Sequence, residues 1–253
     1  MPRGHFGHKR EGTMQKSNKA PQFALAYVAG TIIAGIFHLL RAVGLVQLIH
    51  GERIPRWKSS LLIAVNHPSL VEPFFIPSLF VREWIWSPIK WGPWSTPDRT
   101  NLETKFAWFF WVGGARNIPV PRKRAEGETN RQFLHATYRA LRRMGAILRI
   151  GGRIILFPEG GRTWRIPENE RLRSPKDNEL RPLRKRTGEI VVAARPTVLP
   201  ISVSYPWVKD QRRGWLPIRI KIGHPVRFEE SDPQVVARKL EAMLLALADE
   251  GED

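Results

Sequence analysis

The chain has 253 residues, the length of one domain or one and a half, and 42% hydrophobic residues exclude a disordered protein. It has no cysteine, which excludes disulfide scaffolds, thiol catalysis and cysteine-ligated metal centres. Lys and Arg number 41 against 23 Asp and Glu, a net charge of +18, and there are ten Trp. That balance suits an anionic partner, and the tryptophans add the chemistry of a membrane interface.

Residues 1–19 are polar and basic and read as a disordered tail. Residues 20–40, APQFALAYVAGTIIAGIFHLL, are 21 positions without a charge. A bilayer span needs about 20 apolar residues, so the length suffices. Lys9, Arg10, Lys16 and Lys19 precede the segment, and Arg41, Arg53, Arg56 and Lys58 follow it, so charge sets no orientation. A secretory signal fits poorly, because the leader is long and no small-residue cleavage site follows. Three placements fit: an interfacial anchor in which residues 20–40 and 42–49 form a dipped helical pair, a spanning helix, and a buried core helix. Residues 20–50 are therefore expected to anchor the chain, with the main domain over 51–253.

From residue 51 the pattern alternates strands and helices. LLIAV at 61–65 and RIILF at 153–157 are short apolar runs that fit buried strands. Residues 101–112 read as a helix stopped by Gly113 and Gly114, and residues 117–120 as a short strand. Residues 128–148 form the strongest helical pattern, with Leu134, Tyr138, Leu141, Met144 and Leu148 on one face. A short helix is expected at 188–195, and strands at 197–205 and 218–222. Asp232 and Pro233 then open a last helix, whose apolar face is Val236, Leu240, Met243, Leu244 and Leu247. The expected class is α/β: a mostly parallel central sheet flanked by helices, with an N-terminal membrane-associated helical segment.

Three segments carry candidate chemistry. In the first, Asn66-His67-Pro68-Ser69 follows a buried strand, and Glu72 lies five residues after His67. A carboxylate fixes the tautomer of a basic histidine and stabilises its imidazolium. The spacing alone decides little, since His224 and Glu229 share it. Position separates the two pairs, because strand-end loops are where open α/β sheets place their sites. Residues five apart on a strand face opposite ways, so the chain must turn for His67 to meet Glu72. In the second segment, Phe157-Pro158-Glu159-Gly160-Gly161-Arg162-Thr163, the glycines let backbone N–H groups approach an anion, and Arg162 can clamp a phosphate. The third, residues 113–122, brings basic residues including Arg122 beside a short strand.

In this order, and followed by Val198-Leu199-Pro200-Ile201, the segments resemble the sequence blocks of the glycerolipid acyltransferase family, that of 1-acylglycerol-3-phosphate acyltransferases. The resemblance covers residues 51–227. It implies that His67 is the general base toward the acceptor hydroxyl and that Glu72 orients it. It implies that Arg122, Glu159, Gly160, Gly161 and Arg162 bind the acceptor phosphate, with Asn66, Ser69 and Thr163 in support. Residues 198–201 match a structural strand near the acyl-binding region. Two positions depart from the family pattern: Glu72 stands where Asp is usual, and Gly161 where Thr is usual. The implied reaction moves an acyl group from acyl-CoA or acyl-carrier protein to a phosphate-bearing lysolipid, by default 1-acylglycerol 3-phosphate, and needs no other cofactor.

The residues agree with this chemistry. Acyl transfer from a thioester needs a deprotonated hydroxyl and stabilisation of the oxyanion. No Gly-x-Ser-x-Gly elbow and no His-Glu-x-x-His metal motif occur in the sequence. Residues 116–186 hold 19 of the Lys and Arg, 16 of them Arg, against seven acids. Anionic headgroups, coenzyme A phosphates or an acidic carrier protein would suit that stretch. Trp84, Trp86, Trp91, Trp94, Trp108 and Trp111 read either as a membrane-facing wall or as core. The expected location is the cytoplasmic face of a membrane carrying anionic lipids. Two other readings remain at this point: a catalytically silent lipid-binding relative, and a basic nucleic-acid-binding protein, which lacks a recognisable binding motif here.

Overall fold

The structure, a computed structural model, describes residues 20–69, 71–100, 116–206 and 216–251. The basic tail, the helix expected at 101–112, Trp108 and Trp111 lie outside the described residues. Among these residues, β1 (Val46–Ile49), β2 (Leu61–Val65), β3 (Trp94–Ser95), β4 (Arg153–Leu156), β7 (Thr197–Ser204) and β8 (Ile218–Ile222) form one sheet, in the order β1-β8-β7-β2-β4-β3. Its neighbours are parallel except for β7 and β8. A small antiparallel pair, β5 (Leu172–Arg173) with β6 (Glu179–Leu180), stands apart. The α/β class and the mostly parallel sheet are as expected.

The apolar run of β2 is explained by its position between β4 and β7, with both faces covered. Leu61, Ile63 and Val65 enter one core, Leu62 and Ala64 the other. The first core is closed by α1 (Ala20–Ala42) and by a series of short turns that begins with α2 (Glu72–Phe75). The second is closed by α3 (Asn130–Arg149), α4 (Lys185–Ala194) and α5 (Pro233–Asp249).

The caps follow from sequence. Thr129 and Gln132 form a reciprocal capping box at the start of α3, and Asp232 accepts the Gln234 N–H at the start of α5. Gly188 faces Pro233, where a Cβ would come within 1.9 Å of the proline carbonyl oxygen; only glycine permits this approach of α4 to α5.

Three expectations need correction. Residues 42–49 are not a second helix. The chain turns after Ala42, and Val46–Ile49 is a parallel strand beside β8. The buried face of α3 is rotated: Thr137, Ala140, Met144, Gly145, Ile147 and Leu148 are buried, whereas Leu134 and Tyr138 are exposed. The tryptophans divide: Trp84 is buried, Trp91 and Trp94 are partly buried, and Trp86 is 84% exposed.

The placement of α1 is informative. Ala34 and Phe37 are buried, Tyr27 meets Trp84 edge-on, and the Tyr27 hydroxyl donates to the Ile85 carbonyl at 2.9 Å. The other face presents Leu25, Val28, Ile32, Ile36 and Leu39 at helical spacing, all exposed, with exposed Val43 just past its end. The helix is therefore not a buried core helix. Ile85, Trp86 and Ile89 add exposed apolar surface beside the Tyr27 contact.

Candidate active site

Parallel strands place their C-terminal ends at one edge, and the loops after β2, β4 and β7 meet there. Asn66 continues the β2–β7 ladder with its side chain. Its amide donates to the Val203 carbonyl at 3.0 Å and accepts the Val203 N–H at 2.6 Å. This fixes where the next residue, His67, leaves the sheet.

The turn expected between His67 and Glu72 is present. Glu72 opens α2, and its Oε2 lies 3.3 Å from His67 Nδ1. Its Oε1 accepts the Ser69 N–H at 2.7 Å and the Tyr205 hydroxyl at 2.9 Å. Glu72 has no solvent exposure. A buried carboxylate needs such donors, because an unpaired charge in the interior is expensive. The longer glutamate side chain thus has a rigid seat. The imidazole stacks at a tilt on Phe157, with ring centres 4.5 Å apart. With Nδ1 on Glu72, Nε2 has no protein hydrogen-bond partner among the described residues. His224 and Glu229 are both exposed.

Tyr205 was not legible as a site residue. Burial, followed by the charge of Glu72, pushes its phenol above the ordinary range, so it stays a donor. Its single proton goes to Glu72, and Ser69 Oγ, 2.6 Å away, then donates to the phenol oxygen. Tyr205→Phe removes a donor from the carboxylate that seats His67. Turnover that uses His67 is expected to fall about three- to thirtyfold in kcat with KM nearly unchanged, since the ring's orientation is lost and binding is not. Steady-state kinetics on the purified variant checks this.

Glu159, expected among the phosphate-binding residues, has a structural role visible in its contacts. It is fully buried, and its carboxylate accepts three bonds: the His67 N–H at 2.6 Å, the Thr163 hydroxyl at 2.6 Å and the Arg181 N–H at 2.9 Å. Burial pushes its pKa up to about 7, against the three donors. Glu159 holds three segments together and sets the backbone at His67.

Gly160 and Gly161 also serve packing. The space a Cβ would take at Gly160 is occupied by Arg184, and at Gly161 by Arg181. Arg162 lies over the Trp164 ring at 4.7 Å, and the Trp164 indole donates to the Pro68 carbonyl beside His67. Arg122 sits 3.9 Å from Asp98. With Gly160, Arg184 and Arg186 it lines a cleft whose wall includes Phe157, the ring beneath His67. Burial and neighbouring arginines lower the pKa of Arg122 and Arg184, with Asp98 opposing. The structure therefore groups His67, Ser69, Glu72, Glu159 and Thr163 in one hydrogen-bonded unit, with Asn66 tying the chain just before it to β7. The expected basic residues lie beside it, together with arginines from the β6–α4 connection that were not anticipated. Among the described residues no cluster of His, Asp and Glu could hold a metal.

The sequence model of the Acyltransferase family matches residues 46–204, from β1 to the end of β7. The chain belongs to the Acyltransferase family. Among solved structures, the crystal structure of the 1-acyl-sn-glycerophosphate (LPA) acyltransferase PlsC from Thermotoga maritima is similar, with a TM-score of 0.58. The match covers 92% of this chain and 82% of that one at 16% identity, so it speaks for the fold. No curated protein matches in sequence. The acyltransferase match spans both the His67–Glu72 turn and the Glu159 loop.

Proposed function

We propose that this acyltransferase moves a fatty acyl group from acyl-CoA or acyl-carrier protein to the hydroxyl of a phosphate-bearing lysolipid, by default 1-acylglycerol 3-phosphate. The observation that carries this reading is the buried His67–Glu72 pair, packed on Phe157, which itself lines a cleft bearing Arg122, Arg184 and Arg186, with Nε2 unengaged by any described residue. His67 Nε2 takes the proton of the acceptor hydroxyl, and Glu72 stabilises the imidazolium. The alkoxide oxygen attacks the thioester carbonyl. The tetrahedral intermediate expels the thiolate, which takes the proton back from His67. No protein nucleophile is needed. Arg122 and Arg162 provide charge for the acceptor phosphate.

The apolar stripe of α1, with Trp86 and Ile89, supports attachment to one leaflet. The docked opposite face of α1 argues for a helix lying on the membrane rather than one crossing it. The net charge then favours anionic lipid, and the cytoplasmic face is the side where both donors occur. Nucleic acid has no place in this reading.

The test is direct. Detergent-solubilised protein is given labelled acyl-CoA or acyl-carrier protein with 1-acylglycerol 3-phosphate. Phosphatidic acid is the expected product. Turnover only with a different lysolipid moves the acceptor, and no transfer to any acceptor by folded protein overturns the reading.

A further inference from the structure

The β6–α4 connection brings Arg184 and Arg186 to the cleft that Arg122 lines, and places Arg181 beside it, close enough for its charge to act on Arg122 and Arg184. Two backbone bonds fix it there: the Arg181 N–H to Glu159 and the Arg184 N–H to the Pro158 carbonyl. Glycines make room for the side chains. A Cβ on Gly160 would meet Arg184 Nε at 2.5 Å, and one on Gly161 would meet Arg181 Nη1 at 2.6 Å. The geometry is specific, since a side chain at either position would push a guanidinium away.

Asp98 is the carboxylate that offsets this group, and among the described residues no ion pair engages Arg181, Arg184 or Arg186. Three guanidinium groups line the cleft and a fourth, Arg181, stands beside it; against one carboxylate they leave three positive charges in and around this half-buried space. Like charges held this close repel one another and invite an anion. A single phosphomonoester brings about −1.5 to −2, less than the cleft carries. One phosphate at Arg122 therefore leaves the arginines of the β6–α4 connection without a counter-charge.

We infer that Arg181, Arg184 and Arg186 form a second phosphate subsite beside Arg122, so that the cleft takes a ligand with two phosphate groups close together. This rests on the proposed role of Arg122 toward the acceptor phosphate. Two substrates of the reaction could present the second group: a lysolipid headgroup carrying a further phosphate, or the diphosphate of coenzyme A.

The experiment measures binding of inorganic pyrophosphate and of orthophosphate to the solubilised full chain by calorimetry, which needs no turnover. Wild type is expected to bind pyrophosphate at least about tenfold more tightly. The double variant Arg181→Gln/Arg184→Gln should bring the two anions within about threefold, while orthophosphate still binds through Arg122. Gly161→Ala is the second variant. The guanidinium of Arg181 is all that its new methyl would meet, so it displaces that group and leaves every charge in place. It should also reduce the preference. Equal binding of both anions by wild type, or an unchanged preference in both variants, overturns the subsite.

Kinetics then separates the sources. A rise in KM for acyl-CoA but not for acyl-pantetheine, in the double variant, assigns the group to the donor. A rise in KM for the lysolipid with both donors assigns it to the acceptor; no change in any KM counts against the subsite. Loss of all acyl transfer with the pyrophosphate preference intact would instead reject the proposed reaction.

Discussion

Replacing His67 with alanine is expected to lower kcat for acyl transfer about 10²- to 10⁴-fold, the usual contribution of a positioned general base. KM for the acceptor should change little, because the arginines proposed for the acceptor phosphate are untouched. The fold should survive. Glu72 keeps the Ser69 N–H and the Tyr205 hydroxyl, so its carboxylate is not left bare. The backbone bond from His67 to Glu159 does not depend on the ring. Thermal unfolding alongside kinetics separates the two effects: a kcat loss with an unchanged melting temperature supports the base. Activity within a few-fold of wild type would place the base elsewhere. Glu72→Gln is expected to fall between wild type and the alanine variant. The amide can hold the ring but cannot stabilise an imidazolium.

The part of this site legible in sequence is the part set by short-range pattern. An uninterrupted apolar pentapeptide ending in Asn-His-Pro could be a central strand meeting a loop, and β2 is such a strand. The meeting of His67 with Glu72 required only a turn, which the prolines at 68 and 73 favour. What was not legible depends on partners far along the chain. Residues 46–49 form a strand because β8 lies beside them, some 170 residues later. Tyr205 reaches Glu72 because β7 pairs with β2 in parallel, Val65 opposite Ile201, so residues beyond Ser204 pass the turn after Val65. The face of α3 was misjudged for a related reason. Periodicity marked an apolar stripe, but small residues such as Ala140 and Gly145 rotated the contact away from Leu134 and Tyr138. Glu159 looked like part of an anion loop; its Thr163 donor lies in that same loop, but nothing local reveals that the other two, the His67 and Arg181 N–H groups, come from elsewhere in the chain.

Glu159 is where the largest loss of stability is expected. Glu159→Ala strands the His67 N–H, the Arg181 N–H and the Thr163 hydroxyl in the interior, and each unpaired buried donor costs about 1–3 kcal/mol. A total of several kcal/mol is comparable to the stability of a whole domain. The alanine variant should therefore unfold at far lower urea concentration or fail to accumulate. Glu159→Gln keeps the shape and removes the ionisation, which gives a test through pH. The carboxyl's pKa is about 7 in the folded chain and near its ordinary 4.5 when unfolded. Between those values the folded state holds a proton that the unfolded state has released. This contribution to stability is complete below about pH 4.5, is lost as pH rises toward 7, and stays lost above it. Wild type measured against Glu159→Gln by urea unfolding at pH 5, 6, 7 and 8 isolates this group, since every other titration is common to both. The wild type should lose ground to the variant by a few kcal/mol between pH 5 and 7, then run parallel to it. Parallel curves throughout would mean that Glu159 ionises normally despite its burial. The same variant should lower kcat about ten- to a hundredfold at every pH, because the glutamine must turn an N–H₂ group toward one of the donors. His67 then shifts from its seat opposite Glu72, and small displacements of a base are costly to rate.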